Sequence, residues 1–148
     1  MHNIDVFQNV KKYQAWAPTI LRVFVGVFFM MHGIGKIWGP QPGFEGFSGM
    51  ITGMLGLPVF FAYLVAGIEF IGGIMLIAGF LTRYWAILLA IIMLVATFSV
   101  KLKSGFMAAE IDLIFFASLV SLFITGAGKL SIDTIACKHK KKDPAMAS

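Results

Sequence analysis

Hydrophobic positions gather in four runs along the chain. The first extends from Pro18 to Ile34 or a little beyond. The second covers Val59 to Leu81, the third Tyr84 to Val100 without a single charge, and the fourth Ile111 to Thr125. A helix rises 1.5 Å per residue, so a hydrocarbon core of about 30 Å takes about 20 residues to cross. The pattern therefore predicts an all-α fold: an integral membrane four-helix bundle. Pro18 suits the first turn of a helix, and Gly126 and Gly128 suit the end of the fourth. Glu110 and Asp112 fall at the expected start of the fourth run, where acidic groups meet the positive end of the helix dipole. Only the Thr82–Arg83 turn separates the second and third runs, which makes those helices antiparallel neighbours.

Between the first two runs the pattern changes. Gly39, Pro40, Pro42 and Gly43 break the chain, and Phe44, Phe47, Met50, Ile51, Met54 and Leu55 then recur at helical spacing. That stretch is too short to span, and its four further glycines weaken it as a free helix. It reads as a short interfacial or re-entrant helix between spans one and two, either a lid over the bundle or a plain amphipathic connector. The organisation expected is a cytoplasmic N-terminal segment over 1–16, a transmembrane domain over 17–135 and a basic cytoplasmic tail over 136–148. Sixteen fairly polar residues precede the first run and no small-residue cleavage site follows it, so that run is expected to stay as an anchor.

Composition supports the membrane reading. Residues are 59% hydrophobic and only 13% charged, where a soluble domain carries about 25% charge. The net charge of +5 does not point to nucleic acid, because no basic stripe interleaved with aromatics lies on a polar surface. Lys11, Lys12, Arg83, Lys129, Lys138, Lys140, Lys141 and Lys142 lie on one predicted side, against Lys36, Lys101 and Lys103 on the other. The positive-inside rule then predicts a multi-pass protein of the cell (plasma or inner) membrane with both termini cytoplasmic.

Against this apolar background the ionisable residues stand out. Glu69 is the only charge between Val59 and Thr82 and lies near the middle of that stretch. A carboxylate at the bilayer centre costs roughly 2.5–3.5 kcal/mol on insertion scales, so such groups face protein, find a partner and mark functional pathways. The first span offers Arg22, His32 and, at its outer end, Lys36. Arg22, Gly26, Gly33 and Lys36 share one helical stripe with His32 beside it, and Ala62, Ala66, Glu69 and Gly73 share another. Two small-residue faces carrying charge are expected to pack together. By depth from each span's start, Glu69 answers to Arg22, to His32 or to both. Lys36 reads as a lysine snorkelling to the interface. The pair is either a silent device that sets helix register or a ligand-binding and proton-handling site.

Other chemistry is excluded. A bis-histidine haem needs two intramembrane histidines, and His2 and His139 lie in polar termini. The lone Cys137 forms no Cys-x-x-Cys pair; it is an inert thiol or a palmitoyl acceptor. No metal-ligand cluster, phosphate loop or dinucleotide fingerprint is present. No haem, metal or nucleotide is therefore expected, and any electron chemistry would use a diffusible lipid-soluble cofactor or one held by a partner.

The stretches LRVFVGVFFMMHGIGKIWG, GFEGFSGMITGMLGLP, IEFIGGIMLIAGFLTR and ITGAGKLSID resemble, in order and spacing, the DoxX family of small four-helix membrane proteins. The positions that match are Arg22, Gly26, Gly33 and Lys36, then Glu69, Gly72, Gly73, Gly79 and Arg83; His32 matches a form found in many members. The resemblance implies an oxidoreductase subunit, with relatives linked to thiosulfate:quinone oxidoreduction or to thiol and superoxide defence. The reading that follows is a quinone-linked subunit binding its ligand between spans one and two, with Arg22, His32, Lys36 and Glu69 as candidate ligand-binding or proton-handling residues. The expected partners are the lipid bilayer and a redox protein or further copies of the chain. A proton-linked carrier of small solutes and a non-enzymatic scaffold for redox enzymes are the alternatives.

Overall fold

A computed structural model describes residues 13–142. Among these the chain is mainly helical, without strands. Six α-helices follow one another: α1 Ala17–Trp38, α2 Gly43–Leu55, α3 Phe60–Ala78, α4 Thr82–Ser99, α5 Phe106–Thr125 and α6 Ile132–Lys142, with a 3₁₀ turn over Lys101–Ser104. Helices α1 and α3 and the stretch Thr82–Lys103 are each long and apolar enough to cross a membrane. Helix α5, with 20 residues, reaches about 30 Å at 1.5 Å per residue. Large apolar side chains such as Phe24, Met31, Phe60, Tyr84 and Ile124 face outward, as a lipid-facing surface requires. The all-α membrane bundle expected from the sequence is the fold observed.

Two tight antiparallel pairs make the bundle: α1 against α3, and α4 against α5. The first pair closes on glycine. A Cβ placed on Gly73 would run into the Met30 backbone nitrogen and come within 2.6 Å of the Gly26 carbonyl; one on Gly33 would lie 2.6 Å from the Phe70 nitrogen. Only bare backbone permits that approach, the usual logic of small residues between membrane helices. Val25, Phe29, Leu76, Leu89, Leu119 and Leu122 fill the core between the pairs.

At the end of the bundle where α6 packs, polar groups tie the helix termini together. Arg22 is fully buried there. Its Nη1 donates to the Leu76 and Ile77 carbonyls at 2.6 Å, and its Nη2 donates to the Leu130 carbonyl. The guanidinium thus serves carbonyls in the last turn of α3, where helical donors run out, and shares the Leu76 carbonyl with the Gly79 nitrogen, 3.1 Å away. Asp133, at the start of α6, accepts from the Leu81 nitrogen at 2.8 Å and the Thr82 nitrogen at 2.9 Å, capping α4 from outside it. The reversal between α3 and α4 passes through Gly79 and Leu81, both with positive φ. Gly79 is required on two counts, since a Cβ there would also lie 2.5 Å from Arg22 Nη1.

Three details differ from the sequence reading. Thr82 and Arg83 are the first turn of α4, and the connection is residues 79–81. The fourth span starts at Phe106, so Glu110 and Asp112 lie inside the helix; Asp112 is tolerated there because a lysine neutralises it. The tail is helical as far as Lys142, and the expectations for residues 1–12 and 143–148 lie outside the described residues.

Candidate functional site

The opposite end of the bundle is built differently. Here both helix pairs and α2 line a partly open cavity of about 430 Å³, within the range of small-molecule sites. Helix α2, expected as lid or connector, supplies Phe47, Met50, Ile51 and Leu55 to its wall. Ile51 is the residue by which α2 is anchored, being buried. The remaining apolar wall includes Phe29 from α1, Phe61 and Ile68 from α3, Ile92 and Met93 from α4, and Phe115 from α5.

Five ionisable side chains reach this otherwise apolar space: His32, Lys36, Glu69, Lys101 and Asp112. Lys36 Nζ donates to both Glu69 oxygens at 2.6 Å and stands 4.4 Å from the centre of the Phe47 ring. Glu69 is 1% exposed and Lys36 24%. Lys101, on the 3₁₀ turn, donates to Asp112 Oδ1 at 2.6 Å. Each carboxylate is matched by one ammonium group, which offsets the desolvation that would otherwise exclude it from this depth. His32 lies one turn before Lys36. Its Nδ1 is 2.8 Å from the Phe28 carbonyl; a carbonyl only accepts, so Nδ1 carries the proton and Nε2 remains for a ligand. The ring meets Phe115 edge-on, centroids 6.1 Å apart.

The structure therefore brings three of the four candidate residues together: His32, Lys36 and Glu69. Arg22 is elsewhere, fourteen residues along α1, or about 21 Å. The expected Arg22–Glu69 bridge is not made, nor is a His32–Glu69 contact among the hydrogen bonds. Lys36, which reads from sequence as a snorkelling interface residue, is the partner of Glu69. The cause is register. Gly33 faces Phe70 and Met30 faces Gly73, so each step forward on α1 is a step back on α3, and Lys36 arrives beside Glu69. Depth measured from the span starts does not reveal this; aligning the two small-residue stripes antiparallel would. Lys101 and Asp112 read from sequence as a loop charge and a helix-dipole residue. The signal available for them is a second acidic residue, Asp112, followed by a run without charge as far as Lys129.

The family model for DoxX matches residues 17–102. The chain belongs to the DoxX family. Its relatives extend the match beyond that core. A Bacillus subtilis protein described as "Putative oxidoreductase CatD" is 38% identical over 131 residues, covering 86% of this chain and 92% of its own. An uncharacterised Haemophilus influenzae protein is 35% identical over 125 residues, covering 80% and 82%. The inner membrane protein YqjF of Escherichia coli is 32% identical over 135 residues, covering 87% and 98%. No solved structure matches. With several apolar helices of spanning length, this DoxX-family chain is a multi-pass membrane protein.

Proposed function

We propose that this chain is the membrane component of a DoxX-type oxidoreductase, and that it binds a quinone in the cavity beneath α2. The observation that carries the proposal is the convergence of His32 and two lysine–carboxylate pairs on one apolar chamber inside a membrane bundle. A quinone head is flat, apolar on its faces and polar at two opposed carbonyls. Phe47, Phe115 and the aliphatic wall suit the faces; Lys36 and Lys101 suit the carbonyls as donors, and the unprotonated Nε2 of His32 suits a hydroxyl of the reduced head as acceptor. Bound there, a quinone would supply the electron chemistry that the side chains themselves lack. The chain's own part is to orient the ring, keep water away and hold protons at His32 Nε2 and at the carboxylates. The oxidoreductase description of the Bacillus relative supports the same reading. The site differs from the expected crevice between spans one and two, since α2, α4 and α5 complete its walls.

Titration of a short-chain naphthoquinone into nanodiscs carrying the protein tests this. Saturable binding is expected, weakened at least tenfold by Glu69→Gln and by His32→Ala. Full affinity in both variants, with the bundle intact by circular dichroism, would overturn the assignment.

A further inference from the structure

The two ion pairs of the cavity are not equivalent. Glu69 is closed: both its oxygens accept from Lys36, and Lys36 is itself packed on Phe47. Asp112 is open. Its Oδ1 accepts from Lys101, but no donor among the described residues reaches its buried Oδ2, although the residue is only 4% exposed. A buried carboxylate oxygen left without a donor is unfavourable by more than a neutral group would be. Its one partner is also the less confined lysine. The Lys101 side chain is 40% exposed against 24% for Lys36. It projects from a 3₁₀ turn that ends at Gly105, whereas Lys36 stands on a continuous helix. Asp112 is therefore the acid in this chamber that still lacks a hydrogen-bond donor, and Lys101 is the donor most easily exchanged.

We propose that Asp112 reads the ligand: its carboxylate accepts a hydroxyl from a phenol- or quinol-type head. The cavity then prefers the hydroxyl-bearing, reduced form of a quinone-type molecule over the dione. This rests on the quinone-type reading of the cavity. An O–H donated to a carboxylate makes one of the stronger hydrogen bonds available in a protein. A ligand carbonyl in the same place offers no proton and turns its negative oxygen toward a negative one. Glu69 competes less for the hydroxyl, because Lys36 already donates to both its oxygens; the other free acceptor, His32 Nε2, is left unchanged by Asp112→Asn, so that variant separates the two. The expected preference is roughly tenfold to a hundredfold, the range of a single charge-assisted hydrogen bond.

The test uses two probes that differ only in the hydroxyl, 4-octylphenol and its methyl ether 4-octylanisole, titrated into nanodiscs of the full chain and corrected for partition into empty discs. The phenol should bind the wild-type protein at least tenfold more tightly. Asp112→Asn, which keeps the shape, should bring the ratio close to one. Equal binding of both probes to the wild-type protein would overturn the inference while leaving the cavity reading standing. So would a preference that survives Asp112→Asn. If neither probe binds, the cavity reading falls and this inference with it.

Discussion

Lys36 and Arg22 are both cations on one stripe of α1, yet the structure gives them opposite tasks. Arg22 spends its donors on backbone carbonyls at the close of α3 and on Leu130; Lys36 spends its own on a carboxylate at a cavity wall. Arg22→Leu should accordingly destabilise the bundle by about 2–5 kcal/mol, since buried acceptors lose a charged donor. Ligand affinity in the fraction that remains folded should be unchanged. Unfolding in mixed detergent micelles, with binding measured on the same preparation, checks both halves. A stable Arg22→Leu protein that cannot bind would place Arg22 in the site instead. That Glu69 needs a partner is legible in the sequence, because a lone carboxylate in a spanning run is unfavourable wherever it sits. Which cation answers it is not, because side-chain reach permits several choices and only packing register selects one.

At the scale of the elements, the close approach of α1 and α3 holds the Lys36–Glu69 pair together. Gly73→Ala should force the two backbones apart near Gly26 and Met30, costing about 1–3 kcal/mol as overpacking does, and should weaken ligand binding in parallel. Gly67, on the same helix, borders open space: a Cβ there would meet no atom within 4 Å. Gly67→Ala should be neutral or stabilising by about 0.5–1 kcal/mol, because alanine loses less backbone freedom in a helix. Denaturation midpoints of the two variants against the parent protein decide this, and equal losses would contradict the glycine contact as the determinant. The small-residue stripes are readable from residues such as Gly26 and Gly73, since their spacing is a helical repeat. The position of α2 is only half readable: its amphipathic period marks a helix that does not span, but which face of the bundle it covers depends on Ile51 and Phe47 finding the divergence of the other helices. The start of α5 is misplaced from sequence because a buried Asp112 looks like a terminus until Lys101 is beside it.

Across the whole molecule the polar groups divide between two ends. At the α6 end, Arg22, Asp133 and the turn around Gly79 form a knot in which side chains bind the backbone of the helix ends, with Arg22 Nε and Thr82 Oγ1 left without a partner among the described residues. At the α2 end, five ionisable groups surround open space, and one acid oxygen has no donor among the described residues. The first arrangement fixes helix ends; the second leaves capacity for a ligand. Hydrophobic run lengths make the membrane bundle legible, and the ordered motifs make the family so. The chamber is not legible, since it arises where four helices and a short fifth one separate, and no single segment encodes that gap. Photoaffinity labelling with an azidoquinone in nanodiscs, followed by peptide mapping, tests the chamber most directly. Labels should concentrate on the wall, around Phe47–Leu55, Ile91–Val100 and Phe115, and be displaced by unlabelled quinone. Labels spread over lipid-facing positions such as Phe24, Tyr84 and Ile124, insensitive to competitor, would contradict the account.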